Sequence, residues 1–153
     1  MRIFIDADAC PVKDEVYKVA VRYGLETTVV SNSFIAIPRS SLIARTIVDA
    51  GPDVADDWIA ERCQPGDIVV TNDIPLAERV LKAGGVAIAP NGRAFTADSI
   101  GAALASRAIG EHLRSLGEAT GGPRAFAPAD RSRFLQALDE AVNRERRRQP
   151  RAL

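Results

Sequence analysis

The chain has 153 residues, is 46% hydrophobic and 26% charged, and balances 20 basic against 20 acidic side chains. This is the make-up of one ordinary globular domain. It excludes a membrane span, for which an apolar run of roughly 18 residues is needed, and any cysteine framework, because Cys10 and Cys63 stand alone and far apart.

The N-terminal apolar stretch is short and already holds acids, so no secretory signal is expected, and the free cysteines suit a reduced, cytoplasmic setting. Zero net charge conceals an asymmetry. Residues 1–123 carry 12 basic and 16 acidic side chains, whereas residues 124–153 carry 8 and 4. The acidic body favours cations, and the arginine-rich end favours phosphate.

Short β-branched runs alternate with helical spacings, which predicts an α/β domain with a mostly parallel sheet flanked by helices and a C-terminal helical extension. Residues 2–6 read as the first strand. Pro11 to Tyr23 reads as a helix stopped by Gly24. Thr27 to Val30 is a second strand. Leu42 to Val48 is ambiguous, although Thr46-Ile47-Val48 has the character of a strand end. Asp53 to Cys63 is predicted helical, Asp67 to Thr71 a strand, and Leu76 to Ala83 a helix closed by the Gly84-Gly85 turn. Val86 to Ala89 gives the last strand, followed by helices over Ser99 to Leu116 and Arg131 to Arg148. The Gly117 to Pro128 stretch between them reads as a loop. The last helix should turn Phe134, Leu135, Leu138 and Val142 inward. Residues 1–143 are expected to form the domain, and 144–153 a basic, disordered, solubilising tail.

Acids fall at matching places in this pattern. Asp6 ends the first strand, Asp8 follows it, Asp56 borders the apolar face of the central helix, and Asp73 follows the strand of Asp67 to Thr71. Acids at helix starts often serve only as caps. Asp8 suits that role before the first helix, Asp53 before the second and Asp73 before the third; Asp57 lies on the solvent side. Asp6, directly after three buried apolar residues, is poorly placed as a cap. Carboxylates at the carboxyl ends of parallel strands line the ligand crevice. Burying them is costly without neutralisation, and hard oxygen donors suit Mg2+ or Mn2+.

The segments Ile5-Asp6-Ala7-Asp8-Ala9-Cys10-Pro11-Val12, Asp53 to Ile59, Asp67 to Ala77, Thr120 to Arg124 and Asp130 to Phe134 resemble the YaiI/YqxD family of uncharacterised bacterial proteins across nearly the whole chain. More distantly, the arrangement is similar to PIN-like nuclease domains. Asp6 matches their strand-end acid, Asp56 the acid of their Asp-x-x-Ile-Ala helix, and Asp73 the acid of Thr71-Asn72-Asp73. The resemblance implies a Mg2+- or Mn2+-dependent phosphodiesterase in which Asp6, Asp56 and Asp73 are catalytic and hold the metal with help from Asp8. Two departures stand out. Residues 31–48 lack the acid that such nucleases carry between the second and third strands, and only Asp98 is available as their late fourth acid.

Lys13, Arg124, Arg131 and Arg133 are the candidate substrate-binding residues, since guanidinium groups near a Gly-rich turn suit phosphate contacts. RNA is the expected partner, with no membrane, no organic cofactor and an open oligomeric state. Cys10 near a helix start could carry a lowered pKa and act as a nucleophile, but the single histidine, His112, has no evident acidic partner. Cys63 and Trp58 read as core packing.

Two other functions compete with the nuclease. An apolar strand followed by Asp-x-Asp also opens the haloacid-dehalogenase-type phosphotransferases, in which Asp6 would be the nucleophile. A non-catalytic RNA- or protein-binding module would keep the acids for structure alone.

Overall fold

Five strands and five helices alternate along the chain in the computed structural model, which describes residues 1–8, 10–115 and 126–148, without the side chains of 107–115. The strands are β1 (Arg2–Asp6), β2 (Glu26–Ser31), β3 (Ile43–Ile47), β4 (Ile68–Val70) and β5 (Val86–Ile88). The helices are α1 (Lys13–Tyr23), α2 (Val54–Arg62), α3 (Ile74–Lys82), α4 (Ala97–Ser115) and α5 (Pro128–Arg148). The strands form one sheet in the order β3-β2-β1-β4-β5, and every pairing within it is parallel.

Alternation of side chains across the strands builds a core on each face. Ile3, Ile5, Val29, Ile68 and Val70 face α1 and α5, packing on Val16, Val19, Phe134, Leu138 and Val142. Phe4, Val30, Val69 and Ala87 face the opposite way, onto Ile59 of α2, Leu76, Ala77 and Val80 of α3, and Ile100 of α4. Both cores share one sheet, so the chain is a single α/β domain. No described helix is long and apolar enough to cross a membrane.

Several boundaries differ from expectation. Pro11 and Val12 form a turn, and α1 begins at Lys13 with no side-chain cap. The ambiguous Leu42 to Val48 segment is the edge strand β3, whose Ala44, Arg45 and Ile47 are exposed, so its apolar pattern is weak. Helix α5 starts three residues earlier than the spacing predicts, at Pro128. Its end at Arg148 is the one the spacing predicts, and buried Glu145 lies on the helix face that packs inward.

The chain order places the functional ends. From β1 the chain moves to β2 and β3 on one side; from β3 it crosses through α2 to β4 on the other side of β1. The carboxyl ends of β1 and β4 therefore flank the switch point, the place where an open α/β sheet leaves a crevice.

Candidate active site at the switch point

Asp6 is the last residue of β1 and is partly exposed at that crevice, after fully buried Ile5. Its Oδ2 accepts a hydrogen bond of 2.8 Å from Thr71 Oγ1, just past the end of β4. The Asp73 backbone N–H donates to the same Thr71 oxygen at 2.9 Å. Thr71 is buried, so its hydroxyl fixes the Asp6 carboxylate and the Asp73 backbone relative to each other.

Asp73 is the N-cap of α3, and its Oδ1 accepts from Leu76 N at 2.8 Å. The cap role expected for Asp73 coexists with a place at the crevice, where its carboxyl also meets Asp56. A cavity of about 320 Å³ is lined by Asp6, Asp8, Cys10, Thr71, Asn72, Asp73 and Pro90. Asp56 joins them from α2. Its carboxyl is pushed up to about 7, first by burial, then by the charges of Asp73 and Asp6, and further by a hydrogen bond with the Asp73 carboxyl. Burial also raises Asp6; the Thr71 bond offsets part of this, and the charges of Asp73 and Asp8 add to it. Acids distant in sequence thus repel one another in one place, as is common at functional sites.

Opposite charge is withheld from this group. Among the described residues, none of Asp6, Asp8, Asp56 and Asp73 forms an ion pair, whereas Asp57, Asp67, Asp130 and Asp139 each hold an arginine within 2.6–2.9 Å. Asp57 lies on the exposed side of α2, paired with Arg79, as its helical position implies. The adjacent acids Asp56 and Asp57 therefore have separate roles.

Other expectations are corrected. Asp8 does not cap α1; its Oδ2 accepts from Asn32 N at 3.0 Å and ties the end of β1 to the end of β2. Asp53 holds the N-cap position of α2 without a side-chain cap bond, in a left-handed conformation (φ 66°) that aspartate tolerates better than most residues. Asp98 is exposed in the first turn of α4 and does not line the acidic cavity. Cys10 is not activated, since burial raises its pKa above the ordinary thiol value. Cys63 is core, pushed up to about 11. Trp58 packs edge-on against Phe4 and carries the Arg62 guanidinium over its ring.

The basic candidates divide. Lys13 Nζ donates to the Cys10 carbonyl at 2.7 Å, holding the β1–α1 turn. Arg131 Nη1 donates to the Pro11 carbonyl at 2.6 Å and lies 3.6 Å from Glu15, so it joins α5 to the start of α1. Arg133 lines a cavity. Arg124 and the Gly121-Gly122-Pro123 turn lie outside the described residues, as does the His112 side chain.

Among the described residues, no three His, Cys, Asp or Glu side chains are gathered tightly enough to hold a metal ion as they stand. Local bonds explain the spacing: Asp6 turns to Thr71, Asp8 to Asn32 and Asp73 to Leu76. The donor chemistry still suits a hard dication, because all the groups are carboxylate oxygens and Mg2+ commonly takes one or two carboxylates with water completing its shell.

Fold and site together define a single-domain parallel α/β protein with an unneutralised acidic crevice at its switch point. Residues 4–144 match the family model described as "Uncharacterized BCR, YaiI/YqxD family". The chain belongs to that family. It is 72% identical over 149 residues to a UPF0178 protein of Caulobacter vibrioides, covering 97% of each chain. It is 63% identical over 147 residues to a UPF0178 protein of Rhodopseudomonas palustris, covering 96% of this chain and 93% of the relative. No solved structure matches it.

Proposed function

We propose that this protein is a divalent-metal-dependent phosphodiesterase acting on RNA, with Asp6, Asp56 and Asp73 as its catalytic acids. The observation that carries this reading is the shift of Asp56 to about 7 by burial and by the charges of Asp73 and Asp6, in a crevice where no described arginine or lysine pairs with them. A structural role would favour neutralising partners, as Asp57, Asp67, Asp130 and Asp139 have. Mg2+ or Mn2+, held by Asp6 and Asp73 with Asp56, would activate water and stabilise charge on the phosphoryl oxygens.

The chain's own groups carry the other tasks. Thr71 orients the Asp6 carboxylate. The α3 cap bond holds Asp73 through its Oδ1. Asp56 would give up its proton as the cation binds and complete the set of carboxylates. Asp8 is engaged with the Asn32 backbone, which argues against its serving as the general acid of a haloacid-dehalogenase-type transfer from Asp6.

The test is cleavage of a fluorescent single-stranded RNA with Mn2+ or Mg2+. The wild type should cut it, EDTA should stop it, and Asp6→Asn should fall to background while remaining folded. Unchanged cleavage by Asp6→Asn overturns the assignment. Tight RNA binding with no turnover under either ion would make the protein a binding module instead.

A further inference from the structure

Beyond the acidic crevice, a second cavity of about 510 Å³ is lined by Asn91, Gly92, Arg93, Asp130 and Arg133. Arg93 of the β5–α4 loop and Arg133 of α5 therefore line the same cavity. Their closeness is built into the backbone. The loop turns tightly, with Ala89 N bonded to the Arg93 carbonyl at 2.8 Å and Gly92 N to the Ala89 carbonyl at 2.9 Å. Gly92 has φ +91°, and a Cβ there would lie 2.8 Å from the carbonyl carbon and oxygen of Arg133. Only glycine lets the loop rest on α5 this closely.

The arginines are available to a ligand. Arg93 is exposed, and its guanidinium makes no hydrogen bond or ion pair among the described residues. Arg133 gives one hydrogen bond, to Asp130 Oδ1 at 2.8 Å, and its side chain is 56% exposed. Asp130, the one acid in the wall, is turned inward with a 3% exposed side chain and also accepts from Ala127 N. A phosphate suits such a pair, because several planar N–H groups can converge on its oxygens.

A third cavity, of about 280 Å³, borders both of the others. It shares Asn91 and Arg93 with the arginine cavity and Asn72 with the acidic one. Its floor is apolar, from Ile74, Ala94 and Phe95, with Asn72, Asn91 and Ser99 supplying polar groups. Side by side, the three cavities offer cations, apolar groups with amides, and carboxylates. That sequence matches phosphate, nucleoside and reacting phosphate along one strand. Bases of a duplex face their partners and cannot reach such a floor, whereas an unpaired base can.

We propose that these adjoining cavities hold one nucleotide unit of a single nucleic-acid strand, with Arg93 and Arg133 gripping the phosphate next to the one at Asp6 and Asp73. The inference rests on the hydrolytic reading for its reacting end. It adds Arg93 as a binding residue and makes an unpaired strand, rather than a mononucleotide, the substrate.

Binding of fluorescent octauridylate in EDTA, where turnover is absent, tests it across a salt series. Arg93→Ala should weaken binding about tenfold and lower the slope of log affinity against log salt by roughly 0.7, one single-strand phosphate contact. Arg93→Lys should recover part of this, and Arg93→Glu should lose more. As Arg93 has no partner to leave exposed, these variants test the contact rather than the fold. Unchanged affinity and slope in Arg93→Glu overturn the inference, as does an equal loss with an octameric acidic peptide. Loss of octauridylate binding in a protein that never cuts RNA would keep the subsite and remove the hydrolysis. Cleavage at unaltered KM in Arg93→Glu would do the reverse.

Discussion

At the amino-terminal end of β4, buried Asp67 accepts from Arg2 N, Arg2 Nη2 and Gln64 N, each at 2.9 Å. At the carboxyl end of the neighbouring β1, Asp6 receives the Thr71 hydroxyl and faces the charges of Asp73 and Asp8. Both acids sit at ends of adjacent parallel strands in one sheet, yet one is saturated by an arginine and backbone amides while the other is surrounded by like charge. The first arrangement closes the bottom of the sheet and adds to stability. The second subtracts from stability, and under the proposed function a bound cation would offset it.

Substitution should separate the two ends. The largest effect on folding is expected at Asp67→Ala, which leaves the Arg2 amide and guanidinium without their acceptor. A loss of about 3 kcal/mol, the lower end for breaking a buried pair because the Arg2 side chain is 37% exposed, should appear in urea unfolding. Asp6→Asn should cost no stability in the same assay while removing cleavage.

Thr71→Val tests the link between strand ends. It removes the donor to Asp6 and the acceptor for Asp73 N, and should reduce cation affinity by roughly 10–100-fold, the usual cost of losing an outer-shell partner. Isothermal calorimetry with Mn2+ reads this directly, and an unchanged affinity would make Thr71 a packing residue only.

A smaller effect follows from Asp56. Its folded pKa, raised from 3.8 to about 7, means that between these values the folded chain holds a proton the unfolded chain has released. Stability from this group is therefore complete below 3.8 and is lost as pH rises to about 7. Asp56→Asn should abolish that slope and be the more stable protein at pH 8 without added cation, as thermal melts at several pH values would show. Divalent affinity should run oppositely, increasing as pH approaches 7 and levelling above it, since the cation competes with the proton.

Much of the fold was legible because the local signals agreed. Gly24 ends α1 with a left-handed φ of 68°, and the β-branched Ile68-Val69-Val70 run is a fully buried strand. Helical position separated Asp56 from Asp57, and a buried run ending in an acid singled out Asp6. What could not be read were bonds between distant segments. Thr71 binds Asp6 across 65 positions, Asp8 is diverted from its cap role by Asn32, and Arg131 is taken up by the Pro11 carbonyl 120 positions away. Arg93 had no motif to mark it, since its closeness to Arg133 depends on Gly92 packing against α5. Cys10 misled because a position near a helix start suggests a reactive thiol, while burial acts more strongly and in the opposite direction.

The proposed function makes the top of the sheet an incomplete site for a dication. Calorimetric titration of the wild type with Mn2+ at pH 8, alongside Asp6→Asn and Asp57→Asn, tests it most directly. Saturable binding in the wild type, retained by Asp57→Asn and lost in Asp6→Asn, is the predicted result. Absence of binding in the wild type, or equal binding by all three proteins, would contradict it.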